Sequence, residues 1–90
     1  MHQAYFKISG RVQGVSYRFY AREKAAELQL KGYIRNMEDG AVEAVLQGEK
    51  ESLAAFRLWA NEGAPASRVD SVEVVMQTPD EPYFKSLKIG

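Results

Sequence analysis

Hydrophobic positions change their period several times along the chain, and each change marks a predicted element. In Ala4-Tyr5-Phe6-Lys7-Ile8-Ser9 the residues Ala4, Phe6 and Ile8 share one face, which predicts a first strand. Gly10 to Ser16 carries Gly10 and Gly14 and reads as a loop. From Tyr17 to Leu28 the period becomes helical, because Tyr17, Ala21, Ala25 and Leu28 fall on one face of a 3.6-residue turn. Phe19 and Ala26 fall on the other side, as a small exposed apolar patch. Lys31-Gly32 reads as the end of this unit.

Two strand-like runs follow, Tyr33 to Met37 and Val42 to Gln47. Glu38-Asp39-Gly40 between them is a hairpin signal, since Asp-Gly suits positions needing a positive φ. A second helix is predicted over Glu49 to Asn61, with Leu53, Phe56 and Ala60 as its buried stripe and Trp59 beside it. Glu49 and Glu51 stand in its first turn, where the helix dipole favours acids, and Gly63 and Pro65 stop it. Val69 to Met76 alternates again, and a short last strand near Tyr83 to Ile89 follows the turn Thr78-Pro79-Asp80-Glu81-Pro82.

The predicted order is β-α-β-β-α-β, with a short extra strand at the end. It suits an α+β fold: a ferredoxin-like sandwich in which an antiparallel sheet carries two helices on one face. Two short amphipathic helices cannot cover two sheet faces. The 90 residues are expected to form one domain over 1–90. Fold alone names no function.

Composition narrows the chemistry. There is no cysteine, hence no disulfide, thiolate nucleophile or Cys-type zinc site. The one histidine, His2, stands beside an end expected to fray, which argues against histidine metal ligation or a Ser-His-Asp triad. No apolar run approaches the ~18–20 residues of a membrane span, and no secretory h-region opens the chain. A cytoplasmic address is the expectation. Twelve basic residues balance twelve acidic ones, against a dedicated nucleic-acid binder but not against a local basic pocket.

That pocket has a candidate in Gly10 to Arg18. Glycines let a loop curl so that successive N–H groups point inward, and a helix N-terminus adds unpaired N–H groups with a partial charge of ~+0.5. Arg18, early in the helix, offers a planar charged fork suited to phosphate oxygens. Neither the P-loop Gly-Lys-Ser/Thr nor G-x-G-x-x-G is present. The same features also describe an ordinary turn followed by a solvated arginine. Asn36, at a strand end before the hairpin, either orders that hairpin or orients a water molecule through its amide.

Together, Ile8-Ser9-Gly10-Arg11-Val12-Gln13-Gly14-Val15-Ser16-Tyr17-Arg18, Gly32-Tyr33-Ile34-Arg35-Asn36 and Asp39-Gly40-Ala41-Val42 resemble the acylphosphatase family. The resemblance spans essentially the whole chain. It implies hydrolysis of acyl phosphates to a carboxylate and inorganic phosphate, without metal or organic cofactor, by a monomer that binds no nucleic acid or membrane. It implies Arg18 as the phosphate-binding arginine and Asn36 as the water-positioning asparagine. The backbone of Gln13, Gly14, Val15, Ser16, Tyr17 and Arg18 corresponds to the phosphate cradle. Three features depart from the family pattern: Tyr17 where Phe or Met is more usual, Gly63-Ala64-Pro65 in place of Gly-Pro, and the run Phe84 to Gly90.

Within this reading, Glu38 and Asp39 are expected to be solvated, leaving the bound phosphate to accept the water's proton. Arg11, Arg22 and Arg35 either extend the positive field or are plain surface residues. Two alternatives remain at this stage. One is a binding module using Tyr5 and Tyr33 on an open sheet face, although no RNP-type run is present. The other is a non-catalytic phosphate carrier, which would keep Arg18 but need no Asn36.

Overall fold

The computed structural model describes all 90 residues, Met1 to Gly90. Seven elements follow in order: β1 (His2–Arg11), α1 (Tyr17–Glu27), β2 (Lys31–Asn36), β3 (Val42–Gly48), α2 (Lys50–Glu62), β4 (Arg68–Gln77) and β5 (Leu87–Ile89). They build one sheet of order β4-β1-β3-β2-β5. β1 pairs antiparallel with β3, Ala4 opposite Leu46 and Ile8 opposite Val42, and with β4, Phe6 opposite Val74. β2 joins β3 with Ile34 opposite Ala44. Period-2 alternation therefore sends Ala4, Phe6, Ile8, Ile34, Val42, Ala44 and Leu46 to one face. There they meet Tyr17, Ala21 and Ala25 of α1 and Leu53, Phe56 and Ala60 of α2 in one buried cluster. The rings of Phe6 and Phe56 meet edge to face at 5.0 Å. No helix is long and apolar enough to cross a membrane.

Four details differ from the sequence reading. The sheet is mixed, because β5 runs parallel to β2 with Ile89 opposite Ile34. The reason lies in where β4 ends: Gln77, Gln3, Gln47 and Lys31 lie in one row across the sheet, at the end where β2 begins. Residues 78–86 cross there to the far edge, so β5 starts beside the start of β2 and must run with it. Crossing four strand spacings requires ~19 Å, well within the reach of that stretch. Second, Tyr83 to Ser86 belong to this crossing rather than to the last strand, and Tyr33 packs against Phe84 at 6.2 Å.

Third, Lys31-Gly32 opens β2 instead of ending the helical unit. The helix has already closed on Gln29, which is left-handed (φ 60), while Gln29 N–H donates to Ala26 and Leu30 N–H to Ala25. These are the two bonds of a Schellman cap. Fourth, His2 is a paired residue of β1, opposite Gly48, rather than part of a frayed end.

Candidate active site

The strand-to-loop corner is made by a register shift between Ser9 and Gly10 in the β1–β4 ladder. Gly10 has φ 130 and lies so close to the Arg68 carbonyl that a Cβ would collide with it. The chain then coils through 13–16. Gly14 (φ 75) and Ser16 (φ 61) are both left-handed, with Val15 between them. Alternation of this kind turns successive N–H groups to one side, forming an anion nest. No N–H from Gln13 to Phe19 makes a well-formed hydrogen bond to a protein carbonyl or side chain. Ser16 is the residue before α1, and its side chain does not cap the helix. The first-turn N–H groups of α1 thus remain available, with the helix dipole behind them.

Arg18 and Asn36 stand in the walls of one cleft of about 390 Å³, although 18 positions separate them in sequence. Its lining is Val12, Gly14, Ser16, Tyr17, Arg18, Phe19, Asn36 and Ile89. Of the residues nominated from sequence, Gly14, Ser16, Tyr17, Arg18 and Asn36 are therefore brought together. Val15 instead packs against the core. Gln13 turns its side chain away: its amide nitrogen donates to the carbonyls of Met37 (2.8 Å) and Ala41 (2.9 Å). It ties the loop to both arms of the hairpin that follows Asn36. Sequence reasoning missed Val12, Phe19 and Ile89 as lining residues. Phe19 had been visible only as half of an apolar patch, and Ile89 depends on a pairing across the sheet.

The remaining charges are committed elsewhere. Arg35 pairs with Glu43 on the sheet face away from the helices and is not among the residues lining the cleft. Arg11 and Arg22 are exposed and line no part of the cleft. Asp39 accepts from the Ala41 N–H at 3.0 Å and pairs with Lys7 at 3.0 Å, and these bonds hold its carboxyl below the usual range. Both carboxylate oxygens are thus engaged, one within the hairpin and one by Lys7 of β1, while the side chain stays half exposed to solvent as expected. Glu43, nearly buried, also accepts from the Tyr5 hydroxyl at 2.9 Å. Burial, then that hydrogen bond, pushes the Tyr5 phenol up to about 12. Neither carboxylate is poised as a base.

Tyr17 answers the demand that a buried phenol makes. Its ring is 1% exposed, and its hydroxyl donates to the Ala60 carbonyl of α2 at 3.0 Å. Burial alone raises its pKa well above the ordinary tyrosine range. The residue braces α1 against α2 directly beneath the cleft and stays protonated. No group of three or more His, Cys, Asp or Glu side chains converges as a set of metal ligands.

Comparisons with known proteins meet this geometry. The family model described as Acylphosphatase matches residues 4–89. An acylphosphatase of Chloroflexus aurantiacus is 44% identical over 77 residues, covering 86% of this chain and 84% of the relative. The crystal structure of acylphosphatase from Bacillus subtilis superposes with a TM-score of 0.94 at 30% identity, over 100% of this chain and 99% of that one. The structure of an acylphosphatase from Coxiella burnetii gives 0.92 at 32% identity, over 99% and 92%.

Proposed function

The chain belongs to the acylphosphatase family, and on that premise we propose how its cleft hydrolyses the carboxyl–phosphate bond of acyl phosphates. One observation carries the reading: a single cleft joins unpaired loop amides, one arginine and one asparagine. Phosphoryl transfer asks a protein mainly for positioning and charge stabilisation. The amides of Gln13 to Arg18 and the Arg18 guanidinium hold the phosphoryl oxygens, where charge concentrates as the P–O bond loosens. Asn36 holds the attacking water in line with the leaving group. It also borders a polar hollow lined by Arg35, Glu38, Asp39 and Glu43, which is open to solvent on the hairpin side.

Attack forms the bond from water oxygen to phosphorus. The bond from phosphorus to the acyl oxygen breaks, and its electron pair leaves on the carboxylate. A carboxylate is a weak base, so it departs without a general acid. The water's proton passes to a phosphoryl oxygen of the substrate, in keeping with the pairing of Asp39 and Glu43 elsewhere. The cleft needs neither metal nor organic cofactor for these steps. The protein acts as a cytoplasmic monomer on a small acyl phosphate.

The binding-module reading finds less support. Tyr5 donates its hydroxyl to Glu43, and Tyr33 lies between Phe84 and Arg35, so neither ring is left bare for a base. The deciding experiment is benzoyl phosphate hydrolysis in EDTA by wild type, Arg18→Ala and Asn36→Ala. Wild-type turnover that both substitutions lower supports the assignment. An inactive wild type, or an active Arg18→Ala, overturns it.

A further inference from the structure

We propose that the outer part of the cleft is an acyl-group subsite for uncharged, apolar acyl chains, formed by Phe19 and Ile89. The proposal rests on the reading of the loop, Arg18 and Asn36 as the phosphoryl end. A phosphoryl group and one water, the latter about 30 Å³, fill only part of a cleft of about 390 Å³. The rest is bounded by apolar side chains. Val12 and Tyr17 are buried at 1% exposure, whereas Phe19 and Ile89 stand 52% and 42% exposed. Single exposed apolar residues are ordinary. Two that share the lining of one cleft with its single charged residue have the make-up of a ligand site.

Both are held on regular elements. Phe19 follows Arg18 in the first turn of α1, and its ring meets Tyr20 edge on at 5.5 Å. Ile89 is paired opposite Ile34, and the next N–H, of Gly90, donates to the Ile34 carbonyl at 2.9 Å. They come from opposite ends of the chain, so the subsite exists only once β5 has docked on β2. Arg18 is the single cation in the lining, and it is engaged by the phosphoryl group. Lys88, the nearest cation in sequence to Ile89, is paired opposite Tyr33 and faces the other side of the sheet. An acyl chain bearing its own carboxylate therefore finds apolar surface and no second positive charge.

Acetyl, butyryl and succinyl phosphate test this, because the first two leave carboxylates of nearly equal basicity and the last two match in chain length. Wild type is expected to favour butyryl over acetyl phosphate by about tenfold in kcat/KM, from burial of two methylenes. Succinyl phosphate should do no better than acetyl phosphate. Phe19→Ala and Ile89→Ala should each cut the butyryl-to-acetyl ratio by about threefold or more, and Phe19→Leu should retain most of it. Leu58→Ala, an exposed leucine of α2 outside the cleft, should leave the ratio at its wild-type value. A flat wild-type series, a preference for succinyl phosphate, or a ratio that neither alanine variant changes would overturn the subsite. Failure of the underlying assignment reads out separately, as an Arg18→Ala variant that keeps turnover and inhibition by inorganic phosphate.

Discussion

The loop after β1 and the open face of the sheet are two polar surfaces hung on the same strand. On the open face, polar side chains find one another: Arg35 and Tyr5 converge on Glu43, and Lys7 pairs with Asp39. Gln3, Gln47 and Gln77 form a hydrogen-bonded row, and Gln3 and Gln47 also bind Asp80 of the crossing segment. In the loop, the N–H groups from Gln13 to Phe19 are left without protein partners, and Arg18 has no salt-bridge partner. The open face holds more charged side chains, yet the loop is the surface we propose for phosphate binding. Donors already satisfied stabilise the fold, whereas donors left over can satisfy a ligand. Counting polar residues would point to the open face instead.

The strongest way to break this contrast is to remove the one charge from the loop. Arg18→Ala is expected to lower kcat/KM by at least ~100-fold, as loss of a transition-state donor does. A variant within threefold of wild type would take Arg18 out of the mechanism. Asn36→Ala should lower kcat by about 30-fold or more while inhibition by inorganic phosphate changes little. Parallel weakening of phosphate inhibition would mean that Asn36 binds phosphate instead of water.

Gln13 sharpens the contrast, since it is the loop residue whose side chain behaves like those of the open face. Gln13→Ala removes two bonds to the hairpin and should lower kcat by about tenfold, because small misplacements of reacting groups are costly. The loss should largely vanish in an Asn36→Ala background, where no positioned water remains to be misplaced. Full additivity in that double-mutant cycle would reduce Gln13 to a folding role.

The smallest effect on activity is expected at Tyr5. Tyr5→Phe should leave kcat/KM within about twofold, because the ring lies outside the cleft. Its signature is alkaline stability. A phenol raised to about 12 in the folded state holds its proton more tightly there than when unfolded. Its contribution is complete below pH 10 and is lost as pH rises toward about 12. Melting curves across that window should fall more steeply for wild type than for Tyr5→Phe, and equal slopes would remove Tyr5 as the cause.

Much of this was legible beforehand. The helix stripes Tyr17-Ala21-Ala25 and Leu53-Phe56-Ala60 are the buried ones, and Arg18 and Asn36 were nominated from sequence and share a cleft. What was missed has a common origin. The role of the Gln13 side chain depends on carbonyls 24 and 28 positions away. Ile89 reaches the cleft by pairing with a strand more than fifty positions earlier, which local periodicity cannot register.

The sequence by itself determined the elements, the apolar faces and the left-handed glycine corner, because these follow from nearest-neighbour sterics and short periods. It also nominated the two side chains proposed to carry the chemistry. Only the tertiary structure decided which polar groups are used up and which remain. That depends on contacts between segments distant along the chain: β5 running with β2, Tyr5 of β1 reaching Glu43 of β3, and Gln13 gripping the hairpin. Whether a donor is left over for a ligand is a property of the completed hydrogen-bond network, and no stretch of sequence contains that network alone.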